Sequence, residues 1–370
     1  MNTKKTNSYY RLLIGLFITV ILIFTVGIVA DGWQNTDSVI PEDENNGDGA
    51  DDDSANADEN TETEKNEEAS TPEEQTPTYI DPITGLETTE QLYGKRHMAF
   101  IFDSNSPLYG ISSASLIIEM PVEEGRTRLL ALINDYKGLG KIGSLASNRD
   151  YISRVIRYFS VTGIYSGKDG EIFDDNDAID LSTLSGFTYT EYNSFIYTNG
   201  NLLEGATSSV GTQLSSATVT PPYRFGEYGS EKLIHSGTAS RIILPFSDSE
   251  STELTYSESM EGYTLSKGGN LKTDLLTNEI LSFDNCIVLF ADSVTYETEN
   301  GSSFTLMTEN CGKGYYFTGG TYTAITYNNE DGCLKFMLDG EILAVNRGTT
   351  YIGYLKSSSY NAFTDSLLNN

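Results

Sequence analysis

The chain has 370 residues and carries 53 acidic side chains against 23 lysines and arginines, a formal net charge of −30. Residues 78–370 alone carry −17, and such a negative field argues against a protein that binds nucleic acid through its phosphates. With only two histidines and no paired-cysteine motif, the sequence predicts no histidine- or cysteine-based metal site and no cofactor.

An apolar run, Leu12–Ala30, stands near the start of the chain and contains no charged residue. As an α-helix it would be about 28 Å long, close to the hydrocarbon thickness of a bilayer. Basic residues precede it and acidic residues follow it, so the positive-inside rule predicts a cytoplasmic tail over residues 1–11, a membrane anchor over 12–30, and all later residues outside the cytoplasm. A cleaved signal peptide is the alternative, but the length of the run and the poor match of Ile28 to a cleavage site favour an uncleaved anchor. Because the first cysteine is Cys286, no cysteine is available to take a lipid after the run.

A strongly acidic segment follows, over residues 31–77. It holds seventeen Asp or Glu and one Lys, a net charge of −16; the first thirty residues carry +3, which leaves the −17 on residues 78–370. The segment has too few branched apolar residues to offset its chain entropy, so its composition predicts a disordered linker. A solvated spacer is favoured over a cation-binding tail, because no ligand spacing recurs in it.

A first domain of mixed α/β type is predicted over residues 78–222. Apolar residues at helical spacing predict an amphipathic helix over Arg149–Phe159, and a second helix is predicted to begin near Thr207–Leu214. Alternation of strand and helix indicates a layered domain. The predicted strands are His97–Asp103, Leu116–Met120, Thr127–Tyr136 and Val161–Tyr165.

A second domain, mostly of antiparallel strands, is predicted over residues 223–358, and a tail over 359–370. Short segments rich in Tyr, Thr, Ile and Phe recur between Gly, Asn and Asp turns, without helical spacing. The boundary is placed near Pro221–Tyr228, and the fold class is α+β. The predicted strands are Ile242–Phe246, Thr252–Ser257, Gly262–Ser266, Asp284–Ala291, Ser303–Thr308, Gly314–Thr318, Tyr322–Tyr327, Leu334–Leu338 and Thr350–Leu355.

Five distinctive stretches occur in order along these two domains: Tyr79–Leu86, Glu119–Ile133, Lys141–Ile152, Cys311–Gly320 and Asp339–Tyr351. Together they resemble the YerB-like family of bacterial cell-envelope proteins, often lipoproteins, which share a two-part domain of unknown function. The resemblance covers roughly residues 78–358. It implies an α/β first part and a β-rich second part, tethered outside the membrane, and it implies no particular reaction.

The chain departs from the family pattern at several positions. A family Val-Glu-Gly-Gly-Ile-Thr-Arg pattern is matched at Val122, Glu123, Gly125, Thr127 and Arg128. The next pattern has two arginines after Ile-Gly, of which Arg149 is present, whereas Ala146 replaces the first. A His-Ala-Gly-Gly pattern is replaced by residues 165–168, so an activity that needs that histidine or the first arginine is in doubt here.

A candidate binding cluster follows from these motifs: Glu119, Glu123, Arg128 and Arg149. Arginine forks could hold a carboxylate or a phosphate in a cleft. The favoured alternative is an internal salt-bridge network that joins a strand to the following helix. In either case we expect Arg128 and Arg149 to face the same crevice as Glu123.

Two functional hypotheses remain. The first is a membrane-anchored envelope protein that binds another envelope protein or a wall component. The second is a hydrolase or transferase acting on wall polymer through carboxylates near Glu119 and Glu123, which would need a buried carboxylate of raised pKa in a deep cleft.

The three cysteines have different expected roles. Cys286 lies in a strand of apolar residues and is expected to be an inert core residue. A disulfide between Cys311 and Cys333 is left open, because spacing alone cannot establish it.

Overall fold

The structure is a computed structural model that describes residues 78–169, 178–191, 194–211, 219–226, 237–298, 301–330 and 332–368. The predicted cytoplasmic tail, membrane anchor and acidic linker lie outside the described residues. Within those residues, none of the helices has the length and apolarity that crossing a membrane requires. All of them belong to one compact unit, Glu74–Asn370.

Strands dominate the described residues. From residue 79 to residue 225 they are β1 Tyr79–Ile80, β2 Glu87–Thr88, β3 Met98–Asp103, β4 Leu116–Pro121, β5 Thr127–Ile133, β6 Ile142–Leu145, β7 Thr162–Tyr165, β8 Ala178–Asp180, β9 Tyr189–Thr190, β10 Ile196–Thr198 and β11 Arg224–Phe225. From residue 237 onward they are β12 Gly237–Thr238, β13 Arg241–Pro245, β14 Ser251–Ser257, β15 Gly262–Lys267, β16 Asn270–Leu271, β17 Ser282–Phe283, β18 Asn285–Ala291, β19 Ser293–Thr298, β20 Gly301–Leu306, β21 Gly312–Thr318, β22 Thr321–Glu330, β23 Cys333–Leu338, β24 Glu341–Ile342, β25 Ala344–Val345 and β26 Thr350–Lys356.

One large sheet crosses the predicted domain boundary. Its main path among the described strands is β24-β23-β22-β21-β18-β26-β4-β5-β3-β6-β10-β9. The two halves meet where β26 pairs in parallel with β4, in the register Thr350↔Leu116 to Gly353↔Glu119. A smaller sheet of β13 to β17 and the hairpin of β19 and β20 lie apart from this path. The two predicted domains therefore share a continuous hydrogen-bonded sheet.

The large sheet is buried on both faces, which explains the unbroken apolar runs in its central strands. In β3, Phe100 and Phe102 belong to the core on one face, while Ala99 and Ile101 belong to the core on the other. Side chains alternate across a strand, so a strand covered on both sides needs apolar residues at every position. Each core contains residues from both halves of the chain.

Helices are few: Glu90–Tyr93, Asp150–Tyr158, Gly200–Val210 and Tyr360–Leu368, with short 3-10 turns at Ile111–Ser113, Glu123–Gly125, Leu181–Thr183 and Ser357–Ser359. The predicted helix over Arg149–Phe159 is confirmed as Asp150–Tyr158. It buries Ile152, Val155 and Ile156 on one face, as the spacing requires.

A second helix begins earlier than predicted, and a third was not predicted. The helix expected to begin near Thr207 begins at Gly200, because the side chain of Asn199 caps it by accepting a hydrogen bond from the Leu202 amide at 3.0 Å. It ends at Val210, before Gly211 in the left-handed conformation. The predicted tail over 359–370 contains the helix Tyr360–Leu368, which is held by its buried Phe363 and Leu367.

The fold is thus mostly β, with few helices. The β-rich second part is confirmed, whereas the first part contains more strand than the predicted alternation of strand and helix implied. The predicted strand Val161–Tyr165 is confirmed as β7, whereas sequence periodicity missed β6, β8, β9 and β10, because strands of two to four residues are too short to show an alternation. Cys286 is buried as predicted, and Cys311 and Cys333 are both free and exposed.

Candidate functional site

The predicted cluster is built around a tight connection between two antiparallel strands. β4 and β5 pair in the register Met120↔Arg128, and the chain turns between them at Glu123–Gly125. Glu124 and Gly125 both have positive φ, at 59° and 71°, which allows so short a reversal. The turn holds Glu123 beside the start of the helix Asp150–Tyr158.

Glu123 and Arg149 form the central ion pair. Nε and Nη2 of Arg149 both donate to Oε2 of Glu123, at 2.8 and 2.6 Å, while Oε1 accepts from the Ser303 hydroxyl of β20 at 2.7 Å. Burial alone would raise the pKa of Glu123, but these hydrogen bonds and the arginine charge outweigh it and lower the pKa below its ordinary value. Glu123 is therefore a fixed anion.

Arg128 lies in the same crevice but is less completely paired. Its Nη1 donates to Oδ2 of Asp103 at 3.0 Å and to the Thr127 carbonyl at 3.4 Å. Its side chain is only 7 % exposed, and its buried Nε has no hydrogen-bond partner among the described residues. Burial lowers the pKa of Arg128; Asp103 raises it, and the neighbouring charge of Arg149 lowers it further. The nearby carboxylates do not offset the cost of burying this guanidinium.

Asp169 closes the crevice from the solvent side. Its Oδ2 lies 2.7 Å from Nη1 of Arg149, and it accepts a hydrogen bond from the Ser147 hydroxyl. Its side chain is 55 % exposed. Partial burial would raise the pKa of Asp169, but the Ser147 hydrogen bond and the charges of Arg149 and Arg128 outweigh it and lower the pKa. Arg128, Arg149, Asp103, Glu123 and Asp169 are called the arginine cluster below.

Glu119, the remaining predicted member, lies in a different place. Alternation along β4 puts it on the face opposite the helix Asp150–Tyr158, with Ile117. Consecutive residues of β5 also lie on opposite faces of the sheet. Thr127 donates to Glu119 at 2.6 Å, whereas Arg128 belongs to the arginine cluster on the other face. The structure therefore brings three of the four predicted residues together and separates the fourth.

Glu119 is part of a sealed cluster with Lys267. Lys267 Nζ donates to Oε1 of Glu119 at 2.7 Å, to Thr127 Oγ1 at 2.7 Å and to Ser104 Oγ at 3.0 Å. Glu250 lies 2.6 Å from the same nitrogen. The hydroxyls of Thr252 and Tyr351 donate to Glu119. These residues, Lys267, Glu119, Glu250, Thr127, Thr252 and Tyr351, are called the lysine cluster below.

The lysine cluster holds one ammonium group and two carboxylates, and opposite charges keep each group ionised. Burial alone would raise the pKa of Glu119, but the charge and hydrogen bond of Lys267, with the Thr127 and Tyr351 hydroxyls, lower it. Burial would lower the pKa of Lys267, but Glu119 and Glu250 raise it. Neither group is available as a proton donor or acceptor near neutral pH.

Sequence reasoning missed Lys267, although β15 contains a signal for it. Tyr263 and Leu265 are buried at alternating positions, and Lys267 occupies the next position on that face. A lysine in register with buried residues indicates a buried partner of opposite charge.

The order of domains and the geometry of the clusters place the chain in a class of two-part, mostly β proteins whose parts share one sheet. Family models agree with this division. Residues 83–209 match the N-terminal domain of the family described as protein of unknown function (DUF3048), and residues 242–352 match its C-terminal domain. The chain belongs to this family, as the resemblance to YerB-like proteins predicted.

Individual relatives support the same assignment. The chain is 23 % identical over 290 residues to the Bacillus subtilis (strain 168) protein named "Putative lipoprotein YerB", across 73 % of this chain and 84 % of that protein. The crystal structure of YerB from Bacillus subtilis matches with a TM-score of 0.63 and 20 % identity, over 75 % of this chain and 96 % of that one. This structural likeness concerns the fold alone.

Proposed function

We propose that this chain is an envelope protein, anchored in the membrane by residues 12–30, whose arginine cluster binds an anionic group of an envelope partner. A carboxylate or a phosphate is the chemical class that two neighbouring guanidinium groups recognise. The name of the Bacillus relative, which describes a lipoprotein, supports an extracytoplasmic location. The apolar run and its basic flank support a transmembrane helix as the anchor, in place of a lipid.

One observation carries the binding proposal: the exposed carboxylate of Asp169 occupies the open side of two buried arginines. Asp169 lies between the crevice and the solvent, and the charges of Arg149 and Arg128 both act on it. A ligand carboxylate or phosphate could take its place without breaking the buried pair of Glu123 and Arg149. The unpartnered Nε of Arg128 would then gain an acceptor.

The alternative hypothesis is a hydrolase or transferase in which carboxylates near Glu119 and Glu123 act as general acid or base. Both have lowered pKa values and accept hydrogen bonds from fixed donors, whereas a general acid needs a raised pKa and access to substrate. Glu119 is also fully buried. The geometry therefore favours binding over catalysis by these two residues.

The test compares binding of an anionic probe by three variants of the full chain in detergent. Inorganic phosphate and acetate, measured by titration calorimetry, distinguish the two anion classes. Asp169→Asn removes the competing carboxylate and should tighten binding by about fivefold, the value of one exposed ion pair. Arg128→Ala should remove binding and leave the fold intact.

Arg241→Ala is the matched control, because this arginine forms an exposed pair with Glu253 on the smaller sheet. It should change neither binding nor stability. If neither the wild type nor Asp169→Asn binds phosphate or acetate measurably, the proposal is refuted. The arginine cluster would then be a structural network only.

The anchor has a separate test. Protease added to intact, wall-stripped cells should degrade residues 31–370, because the predicted topology places them outside the cytoplasm. Full protection of these residues would overturn the topology without affecting the binding proposal.

A further inference from the structure

A groove lies beside the distinctive stretch Cys311–Gly320, at the edge of the large sheet where β18 and β26 end. This stretch contains the whole of β21, and the groove runs between that strand and the start of the helix Tyr360–Leu368. It consists of two cavities, of about 460 and about 390 Å³, that share Lys313 and Tyr360 in their linings. Each is within the size range of sites for small ligands.

An aromatic floor fixes the shape of the groove. The ring of Tyr360 packs edge-on against Phe290, with centroids 4.9 Å apart, and its hydroxyl lies 3.2 Å from that of Tyr315. Lys313 Nζ stands 5.7 Å from the centroid of the Tyr360 ring. The half-buried Tyr360 therefore presents a ring whose orientation is set by its neighbours.

The walls of the larger cavity are polar but mostly uncharged. Asn310, Ser358 and Asn361 line it and are exposed, and their side chains have no hydrogen bond to the rest of the described chain. Asp292 and Lys313, also in the lining, have opposite charges. Amide and hydroxyl groups beside a fixed aromatic ring can hydrogen-bond the hydroxyl and acetamido groups of a sugar while its apolar face packs on the ring.

We propose that this groove, between Lys313 and Tyr360, binds a stretch of N-acetylhexosamine glycan. The lining of the larger cavity agrees with an uncharged ligand, because its Asp292 and Lys313 have opposite charges. The two adjoining cavities give room for more than one sugar unit along the groove. This site is separate from the arginine cluster, and neither proposal depends on the other.

The free cysteines provide the experiment. Cys311 is exposed and lines the larger cavity, Cys333 is exposed outside both cavities, and Cys286 is buried. The full chain in detergent is labelled with a maleimide, with and without a tetramer of β-1,4-linked N-acetylglucosamine. A probe concentration of about ten times Kd should slow labelling of Cys311 by about tenfold, since few groove sites remain free. Labelling of Cys333 should not change.

Two variants sharpen this result. Ser358→Trp should fill the larger cavity and abolish protection of Cys311, and Asn361→Ala should weaken it. Asn201→Ala, an exposed asparagine on the helix Gly200–Val210, is the matched control and should behave as the wild type.

Three outcomes would overturn the proposal. These are unchanged labelling of Cys311 at saturating tetramer, equal protection of Cys311 and Cys333, or protection by a wall stem peptide and not by the tetramer. Arg128→Ala should retain protection of Cys311, so that failure of the anion site and failure of the glycan groove give different results.

Discussion

Both the lysine cluster and the arginine cluster consist of buried ion pairs and hydrogen bonds. They differ in how exposed the partners of the buried cation are. In the lysine cluster, Lys267 donates to Glu119, Thr127 and Ser104, which are all buried, and it also pairs with Glu250, whose side chain is 19 % exposed. In the arginine cluster, the solvent-facing side of Arg149 pairs with Asp169, whose side chain is more than half exposed. The lysine cluster is therefore the more deeply buried of the two, and the arginine cluster is the more open to solvent.

The difference follows from where each cluster lies in the layered structure. Glu119 faces the smaller sheet, whose Leu254 and Leu265 share its core. Arg149 begins a helix at the edge of the opposite layer, where the turn of Glu123–Gly125 leaves the sheet. A buried cluster between two layers must supply its own counter-ions, whereas Asp169, paired with Arg149 at the start of the helix, is exposed, as the proposed exchange with a ligand requires.

Breaking the lysine cluster should have the largest effect on stability. Lys267→Met leaves Glu119 buried without its counter-ion, so we expect a loss of about 3–5 kcal/mol in the free energy of unfolding. Chemical denaturation of the variant and the wild type measures this loss. Lys313→Met, at an exposed lysine, is the control and should cost little. A loss no larger than that of the control would show that Lys267 does not stabilise the buried Glu119 as described.

Breaking the arginine cluster should cost less, because its open side lets water reach the groups that remain. Arg149→Ala removes the partner of Glu123 and one partner of Asp169, and we expect a loss of about 2–4 kcal/mol. The same denaturation experiment, with Arg241→Ala as control, measures it. If the arginine cluster is purely structural, Arg128→Ala should lower the free energy of unfolding by a similar amount. The binding proposal predicts instead that Arg128→Ala keeps most of its stability and no longer binds the anion.

The sequence predicted local elements better than their assembly. The helix over Arg149–Phe159 and the strand over Asp284–Ala291 are correct to within a residue at each end, because apolar spacing and length define them. The parallel pairing of β26 with both β4 and β18 could not be predicted in this way. Strands buried on both faces have no polar face to specify their neighbours.

The candidate site divides in the same manner. Glu123 and Arg149 were expected in one crevice from their motifs, and the structure pairs them. Glu119 is close to Glu123 in sequence. Because side chains alternate along β4, Glu119 lies on the face of the sheet opposite Arg149. Its partner Lys267 is 148 residues away, and no local pattern links the two positions.

Strong acid should weaken the lysine cluster. The pKa of Glu119 is lowered in the folded chain from its ordinary value of 4.5. Its contribution to stability is therefore complete above that value and is lost as the pH falls through the lower, folded pKa. Stability curves against pH should fall less steeply in the double variant Glu119→Gln, Lys267→Met than in the wild type. Parallel curves would show that other carboxylates dominate, among them Glu123 and Asp169.

The smallest expected effect concerns the hairpin of β19 and β20, which rests on the arginine cluster and not on the lysine cluster. Ser303 donates to Glu123, and Arg154 donates to Thr305 at 2.9 Å, while Phe304 stacks on Tyr151 with ring centroids 5.9 Å apart. Ser303→Ala removes one hydrogen bond to a carboxylate that Arg149 still holds, so we expect a loss of only about 1 kcal/mol.

The loss should be local to the hairpin. Amide hydrogen exchange in Ser293–Thr298 should accelerate, while exchange in β15, which carries Lys267, should stay as slow as in the wild type. Ser302→Ala, at the exposed neighbouring position, is the control. Faster exchange in both places would mean that the two clusters open together, and that the sheet between them transmits the change. Faster exchange in the hairpin alone would mean that the crevice can open to admit a ligand while the lysine cluster keeps the two halves of the sheet joined.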